Sequence, residues 1–398
     1  MKYILIVPDG GADNPIEDRD GKTACELANL PTFDALAREG KLGLAQTVPD
    51  GMTPGSDVAN LSLLGYDPRK GYTGRAALEA ASQQVEVPEG DAIFRANMVT
   101  IGPEGTMDDY AAGHITTSEA AEIIENLNRD LQIDGIKLFP GVSYRHLCLM
   151  EGAGAFVPQC TAPHDIQGKD ITEFLPQGQF ASWVLEVERT SAQFMPGYEV
   201  NQKRVAEGKK PASQLWLWGG ATAMHLDNFA QRHGIGSAGL ISAVDLMRGI
   251  GRLAGMDILD VEGANAYYDT NFAGKARAAL DYIYNHDFVV VHVEAPDEAG
   301  HNGDIDAKIK ALEDIDQHIV APIYSMARYY GDWRIMLAPD HPTPVAMRSH
   351  TSNPVPYVVW GKGIEANGAQ AFCENEAARV GAAPVTASEI LPGLISGK

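Results

Sequence analysis

Three short apolar runs in this chain each lead into an aspartate, and this arrangement constrains the fold more than any other feature of the sequence. The runs span residues 3–8, 288–293 and 334–339, and the aspartates that follow them are Asp9, Asp297 and Asp340. Continuous apolar runs bounded by Pro, Gly and Asp are typical of strands buried on both faces of a parallel sheet. Because ligands bind beyond the carboxyl ends of strands in open α/β sheets, we expect the three carboxylates to share one edge.

Histidines stand close to these aspartates in the sequence. Asp297 and His301 are four positions apart, so a helix would place both side chains on one face. His341 directly follows Asp340, and His350 comes a little later. Mixed carboxylate and imidazole donors suit Mn²⁺, Zn²⁺ or Fe²⁺. The sequence therefore predicts a metal site at the carboxyl edge of the sheet.

Composition excludes several classes of partner. The 398 residues carry a formal net charge of -22, which argues against binding to nucleic acid or to an anionic membrane surface. No stretch approaches the roughly 18 consecutive apolar residues that a membrane span needs, and the four cysteines lack metal-binding spacing. We expect a cytoplasmic enzyme, whose anionic substrate would need locally concentrated basic side chains. The sequence leaves the oligomeric state open.

The order of predicted strands and helices along the chain indicates two domains, one inserted into the other. Short strand-like pieces such as residues 92–99 accompany a helix over 117–131 in the middle of the chain. Alternating strands and helices return from residue 214 onward, with a long helix predicted from 306 to about 330. We therefore predict a discontinuous α/β core formed by residues 1–84 and 205–398. Residues 85–204 are predicted to form an inserted α+β cap that binds substrate.

Ser56 follows a Pro-Gly turn and precedes an apolar helical pattern, which predicts the N-cap position of a helix. One interpretation is structural, since serine is a preferred N-cap that stabilises a helix by roughly 1 kcal/mol. The other is functional, because a hydroxyl at a helix N-terminus is well placed to hold a phosphoryl group and, beside a metal, to act as a nucleophile. This segment alone does not separate the two interpretations.

Several motifs together resemble one family. They are PDGG at 8–11, TPGSDVANLSLLGYDP at 53–68, TGR at 73–75, DEAGH at 297–301, and PDH at 339–341 with His350 beyond it. This ordered set is similar to the short, archaeal-type branch of the cofactor-independent phosphoglycerate mutases, within the alkaline phosphatase superfamily. The resemblance implies an alkaline-phosphatase-like, doubly wound α/β fold with a mostly parallel sheet and an inserted cap.

The resemblance also implies a reaction and a set of site residues. The reaction is the interconversion of 3-phosphoglycerate and 2-phosphoglycerate through a phosphoserine at Ser56, without 2,3-bisphosphoglycerate. It requires two divalent ions, Mn²⁺ or Zn²⁺. One ion would be held by Asp9, Ser56, Asp340 and His341, and the other by Asp297, His301 and His350. The small phosphorylated substrate would contact the cap, and the residues predicted to bind it are His114, Arg145, Arg75 and Lys169.

One position departs from the family pattern and keeps a second function open. Asn60 stands where the archaeal-type mutases usually have histidine. The surrounding run is closer to a bacterial sub-branch proposed to act as a homoserine kinase in threonine biosynthesis. Such an enzyme would use the same metals and Ser56 but would phosphorylate an amino-acid hydroxyl. A plain phosphatase or phosphodiesterase, a structural metalloprotein and a member of the fold that has lost activity are further alternatives, although structural metal sites rarely include serine.

Overall fold

The three apolar runs form adjacent parallel strands at the centre of one sheet. In the computed structural model, which describes residues 1–381 and 383–396, the strands are β1 (Lys2–Pro8), β2 (Lys41–Gln46), β3 (Ala92–Ile101), β4 (Met107–Asp109), β5 (Ile136–Phe139), β6 (Arg145–Met150), β7 (Gln214–Thr222), β8 (Ala238–Ile241), β9 (Asp257–Ile258), β10 (Phe288–Val293), β11 (Trp333–Leu337), β12 (Val355–Gly361) and β13 (Val385–Thr386). The three predicted strands are thus β1, β10 and β11.

The helices surround these strands along the described chain. They are α1 (Ala24–Leu27), α2 (Pro31–Glu39), α3 (Ser56–Leu63), α4 (Arg75–Ser82), α5 (Thr117–Asp130), α6 (Ala181–Phe194), α7 (Glu199–Ala206), α8 (Phe229–His233), α9 (Asp245–Leu253), α10 (Phe272–Asn285), α11 (Ala295–Asn302), α12 (Ile305–Ile315), α13 (Ala321–Tyr330), α14 (Glu374–Val380) and α15 (Ala387–Ser396). No helix among the described residues is long and apolar enough to cross a membrane.

The first unit comprises residues 1–72 and the chain from 226 onward, and it contains the large sheet. Its eight strands lie in the order β13-β2-β12-β11-β1-β10-β8-β9, and only the pairs β11–β12 and β12–β2 are antiparallel. Ile4, Leu5 and Ile6 have no exposed surface, although neighbouring side chains of a strand point to opposite faces. Both faces of the sheet are therefore covered, which confirms the predicted, mostly parallel α/β fold.

The second unit comprises residues 73–225 and has its own antiparallel sheet. Strand β3 is central to it and pairs with β4, β6 and β7, while β5 extends the sheet from β6. This unit is longer at both ends than the predicted cap of residues 85–204. The sequence assigned β7 to the core, whereas it pairs with β3, and α4 also packs against these two strands.

Both helices predicted from the sequence are present, but the longer one is interrupted. The helix predicted over 117–131 is α5, which begins after a capping box between Thr116 and Glu119. The long helix predicted from 306 to about 330 is α12 followed by α13, joined by a π-helical turn over residues 316–320. Within that turn, Asp316 accepts hydrogen bonds from the main-chain N–H groups of Thr32 and Phe33 in the first turn of α2. The π turn thus presents a carboxylate that caps a neighbouring helix.

Candidate metal centre

The first donor group lies on α11 and the segment after β11. Helix α11 begins two residues after β10 ends, and it carries Asp297 in its first turn and His301 one turn later. His301 Nε2 lies 3.3 Å from Asp297 Oδ2 and 2.9 Å from Nε2 of His350, which in turn lies 3.4 Å from Asp297 Oδ1. The structure therefore brings these three predicted residues together, with their donor atoms converging on one point.

The second donor group is fully buried at the ends of β1 and β11. His341 Nε2 lies 3.6 Å from Asp9 Oδ1 and 3.5 Å from Asp340 Oδ2, and none of the three side chains has exposed surface. Ser56 joins them, with its Oγ 3.1 Å from His341 Nε2. The rings of His341 and His350 are 4.1 Å apart, so the two donor groups are adjacent.

Ser56 occupies the first position of α3 rather than its N-cap. The N-cap is Gly55, and no side chain caps this helix end. The prediction of Ser56 as the N-cap was therefore wrong by one position, because the extended Gly55 takes that place. As a result the Ser56 hydroxyl is not used for capping, and it faces His341 instead.

Hydrogen bonds behind the second donor group fix its carboxylate and its imidazole. Asp340 Oδ1 accepts from the main-chain N–H groups of Gly10 and His341, while Asn60 Nδ2 donates to Asp340 Oδ2 at 2.8 Å. Thr343 Oγ1 donates to Asp297 Oδ1 and lies 3.2 Å from His341 Nδ1. Because this hydroxyl has only one proton, His341 Nδ1–H donates to Thr343, and the Nε2 lone pair faces Ser56.

Gly10 allows the loop after β1 to approach the first donor group closely. Its φ is +60°, and a Cβ at this position would lie 2.6 Å from both Asp297 Oδ1 and Thr343 Oγ1. Any larger residue would push the loop that carries Asp9 away from Asp297. The first glycine of the PDGG motif is therefore explained by close packing of the two donor groups.

The electrostatics of the two groups favour a bound cation. Burial, together with the nearby charges of Asp340 and Asp297, raises the pKa of Asp9 well above its usual value. Although burial opposes it, hydrogen bonding from His301 and His350 holds the pKa of Asp297 well below its usual value. The hydrogen bond to Asp297 in turn raises the pKa of His301 to about 9. A cation bound between these groups would relieve the repulsion that the carboxylates exert on one another.

The residues fit divalent metal ions. Asp9 Oδ1 is buried and has no hydrogen-bond partner, which is costly unless a cation is close to it. Within each group, the carboxylate oxygens and imidazole nitrogens that could bind an ion lie within 4.8 Å of one another. This set of donors suits Mn²⁺ or Zn²⁺. His301 Nδ1 lies 3.1 Å from the carbonyl oxygen of Arg348, to which it donates, so its Nε2 is the atom available to a metal.

Sequence reasoning missed a third group, formed by Asp9, His292 and Glu294. His292 Nε2 lies 2.8 Å from Asp9 Oδ2 and 3.8 Å from Glu294 Oε2. Burial lowers the pKa of His292, and burial with the charge of Asp9 raises the pKa of Glu294. A histidine inside the otherwise apolar run Phe288–Val293 was the visible signal.

The predicted substrate-binding residues lie in the second unit and do not all come together. His114 and Arg145 are both exposed and flank Tyr144, with the His114 ring 6.1 Å and the Arg145 guanidinium 5.7 Å from the Tyr144 ring. Arg75 is exposed at the start of α4. Lys169 instead donates to the carbonyl oxygen of Asp165 and lies over the ring of Phe174. The structure thus groups His114 with Arg145 and shows no contact of Lys169 with them.

A partly buried arginine near these residues was not predicted. Arg95 lies on β3, with its Nε 2.9 Å from Glu79 Oε1 and its guanidinium 3.9 Å above the ring of Trp218. Burial lowers the pKa of Arg95, and the charges of Arg75 and Arg145 act in the same direction. Three guanidinium groups are therefore close enough to repel one another, which makes this part of the second unit attractive to an anion. An arginine within an otherwise buried strand could have signalled it.

Comparison with known proteins supports one family. The family model for 2,3-bisphosphoglycerate-independent phosphoglycerate mutase matches residues 37–201. A protein of that name from Methanothrix thermoacetophila is 45% identical over 398 residues, which is 100% of each chain. A solved structure from Pyrococcus horikoshii has a TM-score of 0.82 and 26% identity, covering 100% of this chain and 98% of that one. A cofactor-independent phosphoglycerate mutase from Thermoplasma acidophilum has a TM-score of 0.66 and 25% identity, with the same coverage.

The fold and the site define an α/β enzyme in which a buried serine lies beside two groups of carboxylate and imidazole donors. At 45% identity over the whole chain, the relationship extends to both units. The chain belongs to the family of 2,3-bisphosphoglycerate-independent phosphoglycerate mutases, which are isomerases.

Proposed function

We propose that this protein interconverts 3-phosphoglycerate and 2-phosphoglycerate through a phosphoserine formed on Ser56. The observation that carries this proposal is the Ser56 hydroxyl, which is not used for capping and lies 3.1 Å from His341 Nε2 at the start of α3. The N-terminus of a helix favours a phosphoryl group, because its free N–H groups and dipole attract negative charge. The similarity to relatives named as phosphoglycerate mutases supports this choice of substrate.

Two divalent ions, Mn²⁺ or Zn²⁺, belong to the proposal. Asp297, His301 and His350 would hold one ion, while Asp9, Asp340, His341 and Ser56 would hold the other. When bound, such ions neutralise phosphoryl oxygens and lower the pKa of a hydroxyl that they contact. The orphaned Asp9 Oδ1 and the clustered buried carboxylates support this assignment.

The residues of the chain then perform two phosphoryl transfers. In the first, a bond forms between Ser56 Oγ and phosphorus as the bond from phosphorus to the C3 oxygen of the substrate breaks. The proton that leaves the Ser56 hydroxyl is matched by the proton that the released C3 hydroxyl gains. In the second transfer, a bond forms between the C2 oxygen and phosphorus as the bond from phosphorus to Ser56 Oγ breaks, and the proton that leaves the C2 hydroxyl is matched by the one that Ser56 regains. No external phosphate donor is required, so 2,3-bisphosphoglycerate has no part in the cycle.

The second unit is proposed to bind the carboxylate and phosphate of this small anionic substrate. Arg145 and His114 are exposed beside Tyr144, and guanidinium groups bind carboxylates through paired hydrogen bonds. Arg75 is included because its positive charge helps to lower the pKa of Arg95, which places the two residues in the same group of cations. Lys169 remains a weaker member, since its ammonium group already donates to Asp165. Excluding water during the lifetime of the phosphoserine would be the second task of this unit.

A coupled assay tests the proposal against its main alternative. Purified protein loaded with Mn²⁺ is supplied with 3-phosphoglycerate alone, and in parallel with ATP and homoserine. Formation of 2-phosphoglycerate without added 2,3-bisphosphoglycerate is the expected result. Formation of phosphohomoserine without mutase activity would overturn the proposed substrate and would move the same site to a kinase reaction. Release of inorganic phosphate alone would indicate a phosphatase.

A further inference from the structure

Three polar side chains, the last of which is Asp9 of the second donor group, form a row across neighbouring strands. Strands β8, β10 and β1 are adjacent and parallel, and Ser242, His292 and Asp9 lie at or just beyond their carboxyl ends. All three side chains are buried. The buried ammonium group of Lys275 donates to the carbonyl oxygen of His292 at 3.0 Å, which also fixes the main chain of β10. The row is therefore held rigidly by the sheet.

The hydrogen bonds along this row favour one tautomer of His292. Ser242 Oγ accepts from the main-chain N–H of Val244 at 3.0 Å and lies 3.2 Å from His292 Nδ1. Since that bond uses only a lone pair of the oxygen, the single proton of the Ser242 hydroxyl is free to be donated to Nδ1. Nε2 of the neutral ring then carries the proton, which it donates to Asp9 Oδ2 at 2.8 Å.

This arrangement is the opposite of that at the other fixed imidazoles of the centre. His341 Nδ1 donates to Thr343, and His301 Nδ1 donates to the carbonyl oxygen of Arg348. Their Nε2 lone pairs are therefore available to a metal ion, as in most metal-binding histidines. At His292 the partner of Nδ1 is a hydroxyl that donates, so Nε2 is a donor as well.

The alternative is a third metal ion held by Asp9, His292 and Glu294, whose donor atoms are close enough for one. That ion would need the Nε2 lone pair, and Nδ1 would then have to carry the proton. Ser242 Oγ would then accept from both Val244 and His292. No partner would remain for its own proton among the hydrogen bonds that the described residues make with this group. The hydrogen-bond directions thus disfavour a third ion.

We infer that His292 is a positioning residue that orients Asp9 as a metal ligand. Its N–H group donates a hydrogen bond to Oδ2 of Asp9. The other oxygen, Oδ1, is then held 3.6 Å from His341 Nε2. The carboxylate then loses rotational freedom before an ion arrives, so binding costs less entropy. This inference rests on the metal site of the proposed function.

Metal titration of the resting protein tests the inference without reference to activity. Wild type is compared with His292→Leu, which removes the N–H donor, and His292→Gln, whose amide can donate from a similar position. Loss of a hydrogen bond to a metal ligand typically costs 10- to 100-fold in affinity, so His292→Leu should weaken one of two Mn²⁺ sites by about that factor. His292→Gln should restore most of the affinity, and circular dichroism confirms that both variants are folded.

Each outcome has a distinct meaning. Two bound ions in wild type, with one weakened by His292→Leu and rescued by His292→Gln, support the positioning role. Three ions in wild type, with one lost in both variants, would overturn it in favour of a third metal site. Unchanged affinity in His292→Leu would overturn it in favour of simple packing. A wild type that binds no metal would instead refute the proposed function, so the two failures are distinguishable.

Discussion

Oγ of Ser56 lies 3.1 Å from Nε2 of His341, although the two residues are 285 positions apart in the chain. The first begins helix α3, and the second follows strand β11, so the contact exists only when the sheet and its helices are assembled. Since Thr343 accepts the Nδ1 proton of His341, the nitrogen that faces Ser56 is an unprotonated base. The pair therefore combines a hydroxyl with a group able to accept its hydrogen bond.

Removing one donor group should leave the other able to bind metal. Asp297→Asn is expected to weaken one of the two ions by at least about 100-fold, because it removes a charge that contacts both His301 and His350. Isothermal titration with Mn²⁺, together with the metal content after dialysis, measures this effect. Asp306→Asn, which changes an exposed aspartate of α12, is the control and should bind two ions. An unchanged stoichiometry and affinity in Asp297→Asn would contradict the assignment.

Lys308 should be essential for stability rather than for chemistry. Its fully buried ammonium group donates to Asp13 Oδ2 and to the carbonyl oxygens of Ala12 and Thr343, so it ties together the segments after β1 and β11. Lys308→Met leaves a buried carboxylate unpaired and should lower the free energy of unfolding by about 3–5 kcal/mol.

Urea denaturation measures the effect of the Lys308 substitution. Lys310→Met is the matched control, since that lysine lies on the same helix and its own side chain, which pairs with Asp314, is exposed. Equal stabilities of the two variants would show that the buried clamp contributes nothing beyond a surface pair.

Glu188 should make stability fall as the pH rises. Burial raises its pKa to about 8, although Leu217 N–H donates to its Oε1. The folded state therefore holds a proton that the unfolded state releases near its usual value of 4.5. The stabilisation is complete below that value and is lost as the pH rises through about 8. Unfolding free energies of wild type and Glu188→Gln at several pH values measure the effect, and the variant should lose this dependence. Parallel curves for the two proteins would contradict it.

Arg145 should affect substrate binding more than turnover. Its guanidinium is exposed and makes no ion pair in the described structure, so Arg145→Ala should preserve the fold. The loss of a charge-assisted hydrogen bond should raise KM for 3-phosphoglycerate by about 10- to 100-fold. Steady-state kinetics compare it with Arg129→Ala, which removes an arginine paired with Asp130 on the surface of the same unit. A KM that is equal in both variants would remove Arg145 from the substrate site.

The strands β1, β10 and β11 of the large sheet could be predicted because each is a continuous apolar run in the sequence. Continuous burial on both faces makes β1 and β10 nearly uniformly apolar, and the helical spacing of Asp297 and His301 is a local property. Strands β2 and β12 pair across about 310 positions, from Ala45 to Val355, and no local pattern reveals such a partner. His350 was noted in the sequence as one of the histidines near the aspartates, but only the resemblance assigned it to the same ion as Asp297 and His301.

Features that depend on hydrogen-bond direction or on tertiary contacts could not be predicted. His292 stands out within its apolar run, but its proposed role depends on a contact with Ser242, which follows strand β8 about 50 positions earlier. Strand β7 belongs to the second unit because it pairs with β3. The change in the sequence pattern near residue 205, from which the end of the cap was predicted, does not reveal this pairing. Ser56 differs from the predicted N-cap by a single position, a distinction that depends on the conformation of Gly55.

The measurement that tests the central claim most directly is the detection of phosphate on Ser56. Wild-type protein loaded with Mn²⁺ is mixed with 3-phosphoglycerate, quenched in acid and digested, and the peptide that contains Ser56 is analysed by mass spectrometry. We predict one phosphoryl group on Ser56, and a loss of turnover of at least about 10³-fold in Ser56→Ala with metal binding largely retained.

Ser62→Ala serves as the control for this experiment, since Ser62 lies on the same helix and donates only to the carbonyl oxygen of Val58. It should keep both turnover and the phosphorylated peptide. Full mutase activity in Ser56→Ala, or a phosphoryl group on a different residue of the wild type, would contradict the account.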